Sequence, residues 1–158
     1  DNNVAAKFIF CGIGVKGRYI EENCSKYDNC VFAGWVNAAQ IQAALTLSDI
    51  GIAPYIASSN FIDNIPNKPA EYMSEGLVIA TSLMKGAMFD LITAEECGFS
   101  YSNDAVILTR LITELDIDRG KLLVLQKKSR ALFDRQFNGV QTYENMISYL
   151  ENSCEIDA

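Results

Sequence analysis

The chain alternates short apolar runs with stretches of helical spacing from residue 7 to about residue 101. Nearly continuous apolar strands that alternate with helices are typical of a parallel sheet with helices on both faces. We therefore predict an α/β fold with a Rossmann-like parallel sheet, in a single domain spanning residues 1–158. The predicted strands are 7–11, 31–33, 50–53, 78–81 and 99–101.

The other periodic segments predict helices, which include a helical C-terminal tail from about residue 104. The predicted helices span 17–26, 40–47, a short segment from Pro69 to about 76, 88–96, 104–115, 119–137 and 140–151. Residues 60–67 are polar and predict an irregular loop. Ligands of such folds bind at the carboxyl ends of the strands, so we expect a site formed by the loops 12–17, 34–37 and 54–68.

The chain is acidic and contains no histidine. The first property argues against nucleic-acid binding, and the second argues against metal binding and histidine-based catalysis. Its formal net charge is −7, and an acidic protein is a poor general binder of nucleic acids. Six basic residues between Arg119 and Arg135 are the local exception. We interpret them as the solvated face of a helix rather than as a phosphate-binding patch. The lack of histidine removes the commonest metal ligand and general base, so no metal or cofactor is expected.

The cysteines are read as reduced thiols. None of the five forms a C-x-x-C pair, and their odd number argues against a disulfide framework or a zinc site. No apolar run approaches the length of a membrane span, and we expect a cytoplasmic protein. The chain begins at Asp1 rather than at Met, so we expect a fragment of a longer protein.

Residues 12–17 read GIGVKG and match the G-x-G-x-x-G fingerprint of a dinucleotide-binding turn. In that fold, Gly12 and Gly14 would let the backbone approach a phosphate group. The second strand should then end in an acid that holds a ribose, whereas here it runs into the sequence GWVN. A tight turn without a ligand explains the motif equally well, and a nicotinamide-dependent dehydrogenase is disfavoured.

The segment NKPAEYMSEG, residues 67–76, has the features of a helix start that holds a phosphate and a sugar hydroxyl. Asn67 is predicted to cap the helix, and Pro69 suits its first turn. The free amides and the dipole of a helix start favour an anion, and Lys68 adds a positive charge. Glu71, predicted in the first turn, can accept hydrogen bonds from two ribose hydroxyls. A structural role for Glu71 near the positive helix end remains an alternative.

Two further residues in the expected loops are candidates. Asp63 precedes Glu71 by eight residues, and two acids at this separation can hold two parts of one ligand, although such a spacing is common. Trp35 lies at a strand end, where it is either an exposed platform for a base or a core residue.

Four ordered segments resemble the C-terminal half of retaining group 1 glycosyltransferases of family 4, which have the two-domain GT-B fold. The family pattern is a strand reaching a G-x-G turn, then V-x-F-x-G-x-V, A-D-[IV]-x-[IV]-x-P and K-x-x-E-Y-M-A-x-G-x-P-V-[IV]-A. Residues 8–14, 31–36, 48–54 and 68–80 follow it in this order, and the later three contain VFAGWV, SDIGIAP and KPAEYMSEGLVIA. The helical tail also fits the family's ending.

The resemblance implies that the chain binds a nucleotide-diphosphate sugar as donor substrate, without a bound metal. Glu71 matches the family's glutamate that holds the ribose. Asp63 corresponds by spacing to the glutamate that contacts the donor sugar. The resemblance also implies transfer of the sugar to a glycan or a lipid-linked acceptor, in the biosynthesis of a surface polysaccharide.

The same resemblance assigns the rest of the donor site. The helix start at Asn67 and Lys68 would face the diphosphate. Backbone groups of Gly34, Trp35 and Val36 would frame the base.

The chain departs from the family in three respects. Asp63 is one methylene shorter than the usual glutamate, and Leu77 stands where the family often has a small or basic residue before Pro-Val. The family's domain begins with a further strand in the middle of the sheet, which carries a basic pair for the diphosphate, and this chain starts after it. The N-terminal acceptor domain is absent as well.

The missing strand predicts a gap or open edges in the sheet. Open edges favour pairing with a second chain, so we expect a homodimer that fills the gap or a rearranged strand order. The full-length enzyme is expected at the cytoplasmic face of the inner membrane.

Other functions fit only parts of this pattern. A nucleotide-sugar epimerase on the same fold relies on histidines near the nucleotide, which this chain lacks. A phosphoacceptor receiver domain is disfavoured because Cys11 and Gly12 stand where an acidic cluster is needed. A non-catalytic nucleotide-binding or assembly module remains the alternative outside enzymes.

Overall fold

The computed structural model describes residues 6–154. Its strands are β1 (Phe8–Cys11), β2 (Cys30–Gly34), β3 (Ile50–Ala53), β4 (Val78–Thr81) and β5 (Gly98–Ser100). Its helices are α1 (Gly17–Cys24), α2 (Ala38–Thr46), α3 (Ser59–Ile62), α4 (Asn67–Ser74), α5 (Ala87–Ala94), α6 (Ala105–Ile117), α7 (Arg119–Gln136) and α8 (Gly139–Cys154). The predicted α/β class, with parallel strands and a helical tail, is confirmed.

The strands form two parallel sheets rather than one. β1 pairs with β2, and β3, β4 and β5 form a separate sheet in that order. Within residues 6–154, no backbone ladder joins the two sheets. Apolar runs identify strands without identifying their neighbours, so the division into two sheets is decided by the structure. The separation of the two sheets agrees with the gap expected from the missing strand. A homodimer that fills this gap remains a prediction.

The three-stranded sheet carries the hydrophobic core. All four residues of its central strand β4 are buried. Ile79 packs into one cluster and Val78 into another, because successive residues of a strand point to opposite faces. Helices therefore cover both faces of β4, as the apolar run VIAT predicts. The first cluster consists of Met73, Ile79, Met88, Ile92, Cys97 and Leu132.

The two-stranded sheet is less buried. Residues of β1 and β2 alternate between half-buried and exposed positions. The rings of Phe10 and Phe32 stack at 5.0 Å between centroids on the more protected face. The adjoining helices α1 and α2 have no fully buried residue. This part of the chain is therefore held by less apolar burial than the part around β4.

Helix α4 is fixed against β3 and α7 by close contacts. Gly51 in β3 leaves room for the ring of Tyr72, whose hydroxyl donates a hydrogen bond to the carbonyl of Ile52 at 3.3 Å. On the other side, the buried hydroxyl of Ser129 in α7 donates to the carbonyl of Leu77 at 2.7 Å. These contacts set the direction in which the start of α4 points.

Two local predictions need correction. Part of the predicted irregular loop at 60–67 belongs to the helical turn α3, which begins at Ser59 and ends at Ile62. Four residues are too few to show helical periodicity, so the sequence pattern did not indicate this turn. Asp63, predicted in that loop, directly follows α3 as its C-cap residue.

The basic residues of α7 form a solvated, paired face, as the sequence suggested. Five of the six pair with acids, in the ion pairs Arg119–Asp49, Lys121–Glu114, Lys128–Glu96, Arg130–Asp134 and Arg135–Glu95. Acids thus neutralise most of this charge, which leaves no strong phosphate-binding patch on α7. Among the described helices, none combines the length and the apolar character needed to cross a membrane.

We predict that Gly51→Ala destabilises the fold by about 1–3 kcal/mol, since the added Cβ would overlap the ring of Tyr72. Urea unfolding followed by circular dichroism measures the effect. Gly139→Ala is the matched control, because its Cβ would meet no atom within 4 Å. Equal unfolding free energies for the two variants would show that the Gly51 contact is unimportant.

Candidate functional site

The start of α4 presents two adjacent unpaired amides. Pro66, with extended backbone, is the N-cap residue, and Asn67 is the first residue of the helix. The prediction of Asn67 as N-cap is therefore wrong, because the chain turns helical one residue earlier. A helix start has four amides without intrahelical partners, and here the prolines at 66 and 69 lack theirs. In the described structure, the amides of Asn67 and Lys68 donate no hydrogen bond.

Positive charge accompanies these amides. Lys68 is exposed, and no ion pair among residues 6–154 engages its ammonium group. The positive end of the helix dipole acts in the same direction. Two amides and one ammonium at a helix start form a suitable cradle for an anion.

Glu71 lies just beyond the first turn of α4, in which the sequence placed it. It is the fifth residue of the helix and is exposed, so the helix has no acid in its first turn. The stabilising effect of the helix dipole falls off within the first turn. No ion pair within the described part of the chain involves Glu71. The structural explanation for this acid is therefore weaker than the sequence alone indicated.

Two tyrosines lie near the Glu71 carboxylate. Burial raises the pKa of Tyr55, and the charge of Glu71 raises it further. Burial raises the pKa of Tyr72 to about 12, with smaller contributions from Tyr55, Glu71 and Cys11. Since electrostatic effects weaken with distance, these four side chains share one neighbourhood. Cys11, the last residue of β1, makes the smallest of these contributions.

The glycine turn after β1 lines an open cleft of about 550 Å³. Gly12 (φ 121°) and Gly34 (φ 63°) adopt backbone conformations that favour glycine. The amide of Gly12 donates to the carbonyl of Gly34 at 2.6 Å, which ties the two loops together. Gly14 also lines the cleft, and its carbonyl accepts from the amide of Gly17 at 2.7 Å. Three glycines that the sequence predicted in the site, Gly12, Gly14 and Gly34, therefore line the same cleft.

Trp35, Val36 and Asn37 connect Gly34, which lines this cleft, to helix α2. Trp35 is 70% exposed, which excludes the core role that the sequence left open. Val36 is half-buried. Asn37 then starts α2 with a reciprocal pair of hydrogen bonds to Gln40, each 2.9 Å. The exposed indole is available for stacking.

Asp63 lies at the end of α3, where it is the C-cap residue. Its side chain is exposed and takes part in no ion pair within residues 6–154. The ring of Tyr55 stacks on that of Phe61 at 4.6 Å between centroids, and Ser82 donates to the carbonyl of Tyr55 at 2.6 Å. These contacts tie the segment that carries Asp63 to the end of β4.

Sequence reasoning did not single out Tyr55, Phe61 or the Cys11 side chain as members of this region. Tyr55 follows β3 by two residues, and its place in a loop after a strand was the sequence feature that could have identified it. No group of three or more potential metal ligands occurs in the described part of the chain.

A second open cleft, of about 340 Å³, lies at the opposite edge of the three-stranded sheet. Asp49 and Gly76, just before β3 and β4, are among its lining residues. Asp49 already pairs with Arg119 at 3.1 Å, and Arg130 pairs with Asp134 at 2.9 Å. Its charges are thus largely used within the protein, which favours the carboxyl edge as the candidate site.

A family model described as glycosyl transferases group 1 matches residues 1–116 of the chain. The chain belongs to this glycosyltransferase family. The match confirms the family and enzyme class predicted from the ordered motifs. No curated protein matches the sequence.

Solved structures of other proteins share this fold. HepE of Anabaena in complex with UDP has a TM-score of 0.71 at 16% identity, over 93% of this chain and 41% of HepE. Its complex with UDP-glucose has a TM-score of 0.69 at 15% identity, over 92% of this chain and 41% of HepE. WaaG, a glycosyltransferase involved in lipopolysaccharide biosynthesis, has a TM-score of 0.63 at 14% identity, over 82% of this chain and 34% of WaaG.

These identities establish the fold and not the ligand. The group 1 domain described here spans about two fifths of HepE and a third of WaaG.

The raised pKa of Tyr72 predicts a loss of stability at alkaline pH. Its folded pKa of about 12 exceeds the ordinary 10.0, so folding favours the neutral phenol. This contribution is complete below pH 10.0 and is lost as the pH rises towards about 12. Urea unfolding across this range should show the advantage of the wild type over Tyr72→Phe shrinking. The exposed Tyr143→Phe control should show a constant difference, and parallel curves for all three proteins would contradict the prediction.

Proposed function

We propose that this domain binds the nucleotide-diphosphate sugar donor of a retaining glycosyltransferase. The observation that carries the proposal is the start of α4, where two unpaired amides and Lys68 adjoin an unpaired Glu71 in a chain of the group 1 family. Anionic and hydroxyl-bearing parts of one ligand would find complementary groups within little more than one helical turn.

The diphosphate would bind at the start of α4. The amides of Asn67 and Lys68 would donate hydrogen bonds to its oxygens, and the Lys68 ammonium would add a point charge. During transfer, negative charge accumulates on the departing nucleotide diphosphate. Groups that are already oriented towards this charge lower the barrier without further reorganisation, which would be the main electrostatic contribution of the domain.

The nucleoside would lie between α4 and the glycine turns. Glu71 would accept hydrogen bonds from the ribose hydroxyls. Backbone groups from Gly34 to Val36 would frame the base, with the exposed Trp35 ring as a stacking surface. Gly12 and Gly14 would shape the adjoining wall.

The donor sugar would lie on the side of Asp63. The aspartate has no ion-pair partner in the described structure, and the stacked rings of Tyr55 and Phe61 position the segment before it. An oxocarbenium-like transition state carries positive charge on the sugar, which a nearby carboxylate stabilises.

The acceptor would be a glycan or a lipid-linked sugar in the synthesis of a surface polysaccharide, handled at the cytoplasmic face of a membrane. This assignment follows the family resemblance and the involvement of WaaG in lipopolysaccharide biosynthesis. Because the chain spans only part of such proteins, we expect weak donor binding and no transfer by this domain alone.

We predict that Glu71→Gln weakens the binding of UDP about 10- to 100-fold, because hydrogen bonds to charged groups are worth about 1.5–3 kcal/mol. Calorimetry with UDP measures the dissociation constant. Glu75→Gln, at the C-cap of the same helix, is the matched control. The Glu75 carboxylate already accepts a hydrogen bond from Thr46 at 3.3 Å, so the substitution should leave the affinity for UDP unchanged. Equal affinities for the wild type and Glu71→Gln would remove Glu71 from the site.

We predict that Asp63→Asn weakens the binding of the donor sugar without weakening the binding of the nucleotide. The affinity for UDP-glucose should fall by about tenfold, the effect of losing about 1.4 kcal/mol, while the affinity for UDP stays unchanged. Calorimetry with both ligands measures the ratio, and Asn64→Ala next to it serves as control. A parallel loss for both ligands would place Asp63 at the nucleotide, and no loss for either would exclude it. GDP-glucose and UDP-galactose, tested alongside, report the donor base and sugar.

A further inference from the structure

Two cysteines meet where α1 joins β2. Cys24 is the last residue of α1, Cys30 is the first residue of β2, and both side chains are half-buried. Two successive turns connect them. The amide of Tyr27 donates to the carbonyl of Cys24 at 3.0 Å, and the amide of Cys30 donates to the carbonyl of Tyr27 at 3.1 Å. The intervening residues therefore fold back, which makes the end of α1 and the start of β2 neighbours along two successive turns.

Cys30 Sγ lies 4.0 Å from Asn29 Oδ1. Burial raises the pKa of Cys30, and the neighbouring Cys24 raises it further. Both thiols are half-buried, whereas Cys11 is exposed and Cys97 is buried.

Helix α1 has few other anchors. It has no fully buried residue, and Lys16 at its N-cap makes no side-chain capping hydrogen bond. The same helix contributes Arg18 and Glu21 to the wall of the cleft after β1. A covalent link at its C-terminal end would therefore restrict a loosely held wall of the candidate site.

We propose that Cys24 and Cys30 form a dithiol that a low-molecular-weight disulfide oxidises to an intramolecular disulfide between α1 and β2. The thiolate of one cysteine attacks a sulfur of glutathione disulfide, which forms a mixed disulfide and releases one glutathione thiolate. The other protein thiolate then displaces the second glutathione. Both protein thiols lose their protons, the glutathione disulfide is reduced to two glutathione thiols, and one protein disulfide is formed.

This link would give the domain a redox-dependent state. A restricted α1 would alter the affinity for UDP, and this consequence alone rests on the proposed function. The disulfide itself is measured without any nucleotide, so failure of one idea is distinguishable from failure of the other.

The test uses the whole chain and its own cleavage sites. The protein is incubated with glutathione disulfide, free thiols are alkylated in acid and denaturant, and trypsin then cleaves after Lys26, between the two cysteines. The expected result is a linked pair of peptides, one containing Cys24 and the other Cys30, at the mass of the peptides less two hydrogen atoms. Dithiothreitol should separate them.

Matched variants complete the experiment. Cys24→Ser and Cys30→Ser should each leave a glutathione adduct on the remaining cysteine, whereas Cys11→Ser should form the link as the wild type does. The link should form faster as the pH rises, because the raised pKa of Cys30 limits its thiolate. Separate glutathione adducts on Cys24 and Cys30 in the wild type, modification of Cys11 alone, or no reaction would each overturn the proposal.

Discussion

The contact between the Tyr72 ring and Gly51 is the constraint on which the candidate site depends. Only a residue without a side chain in β3 lets the ring lie against the strand, where the hydroxyl reaches the carbonyl of Ile52. This contact fixes the rotation of α4 about its own axis. Its first two amides, Lys68 and Glu71 are carried on that one helix, so their relative placement follows from how Tyr72 is seated.

The site joins two parts of the chain that differ in packing. The sheet around β4 has a continuous buried core, and it holds α4 rigidly. The β1–β2 pair has alternating half-exposed strands, and its helices lack buried residues. Because one wall is held by fewer apolar contacts, adjustment on ligand binding is expected there. A covalent link within that wall would act on the adaptable side of the site.

Much of the fold follows from local patterns, and the failures have physical causes. The run VIAT predicted a strand buried on both faces, and β4 is such a strand. The turn α3 is too short for periodicity to detect. Asn67 was assigned as a cap from residue preference, whereas the extended backbone at Pro66 places the helix start one residue earlier. The separation of two sheets depends on strand pairing between distant segments, on which an apolar pattern carries no information.

The sequence by itself determined the class of fold, the family and the residues to consider, because ordered motifs and side-chain periodicity are local properties of the chain. Only the tertiary structure decided that Trp35 is exposed and that Glu71 lies beyond the first turn of its helix. It also placed Cys24 and Cys30 at the two ends of a double turn. Exposure, electrostatic proximity and thiol pairing depend on how remote surfaces meet, and packing alone settles them.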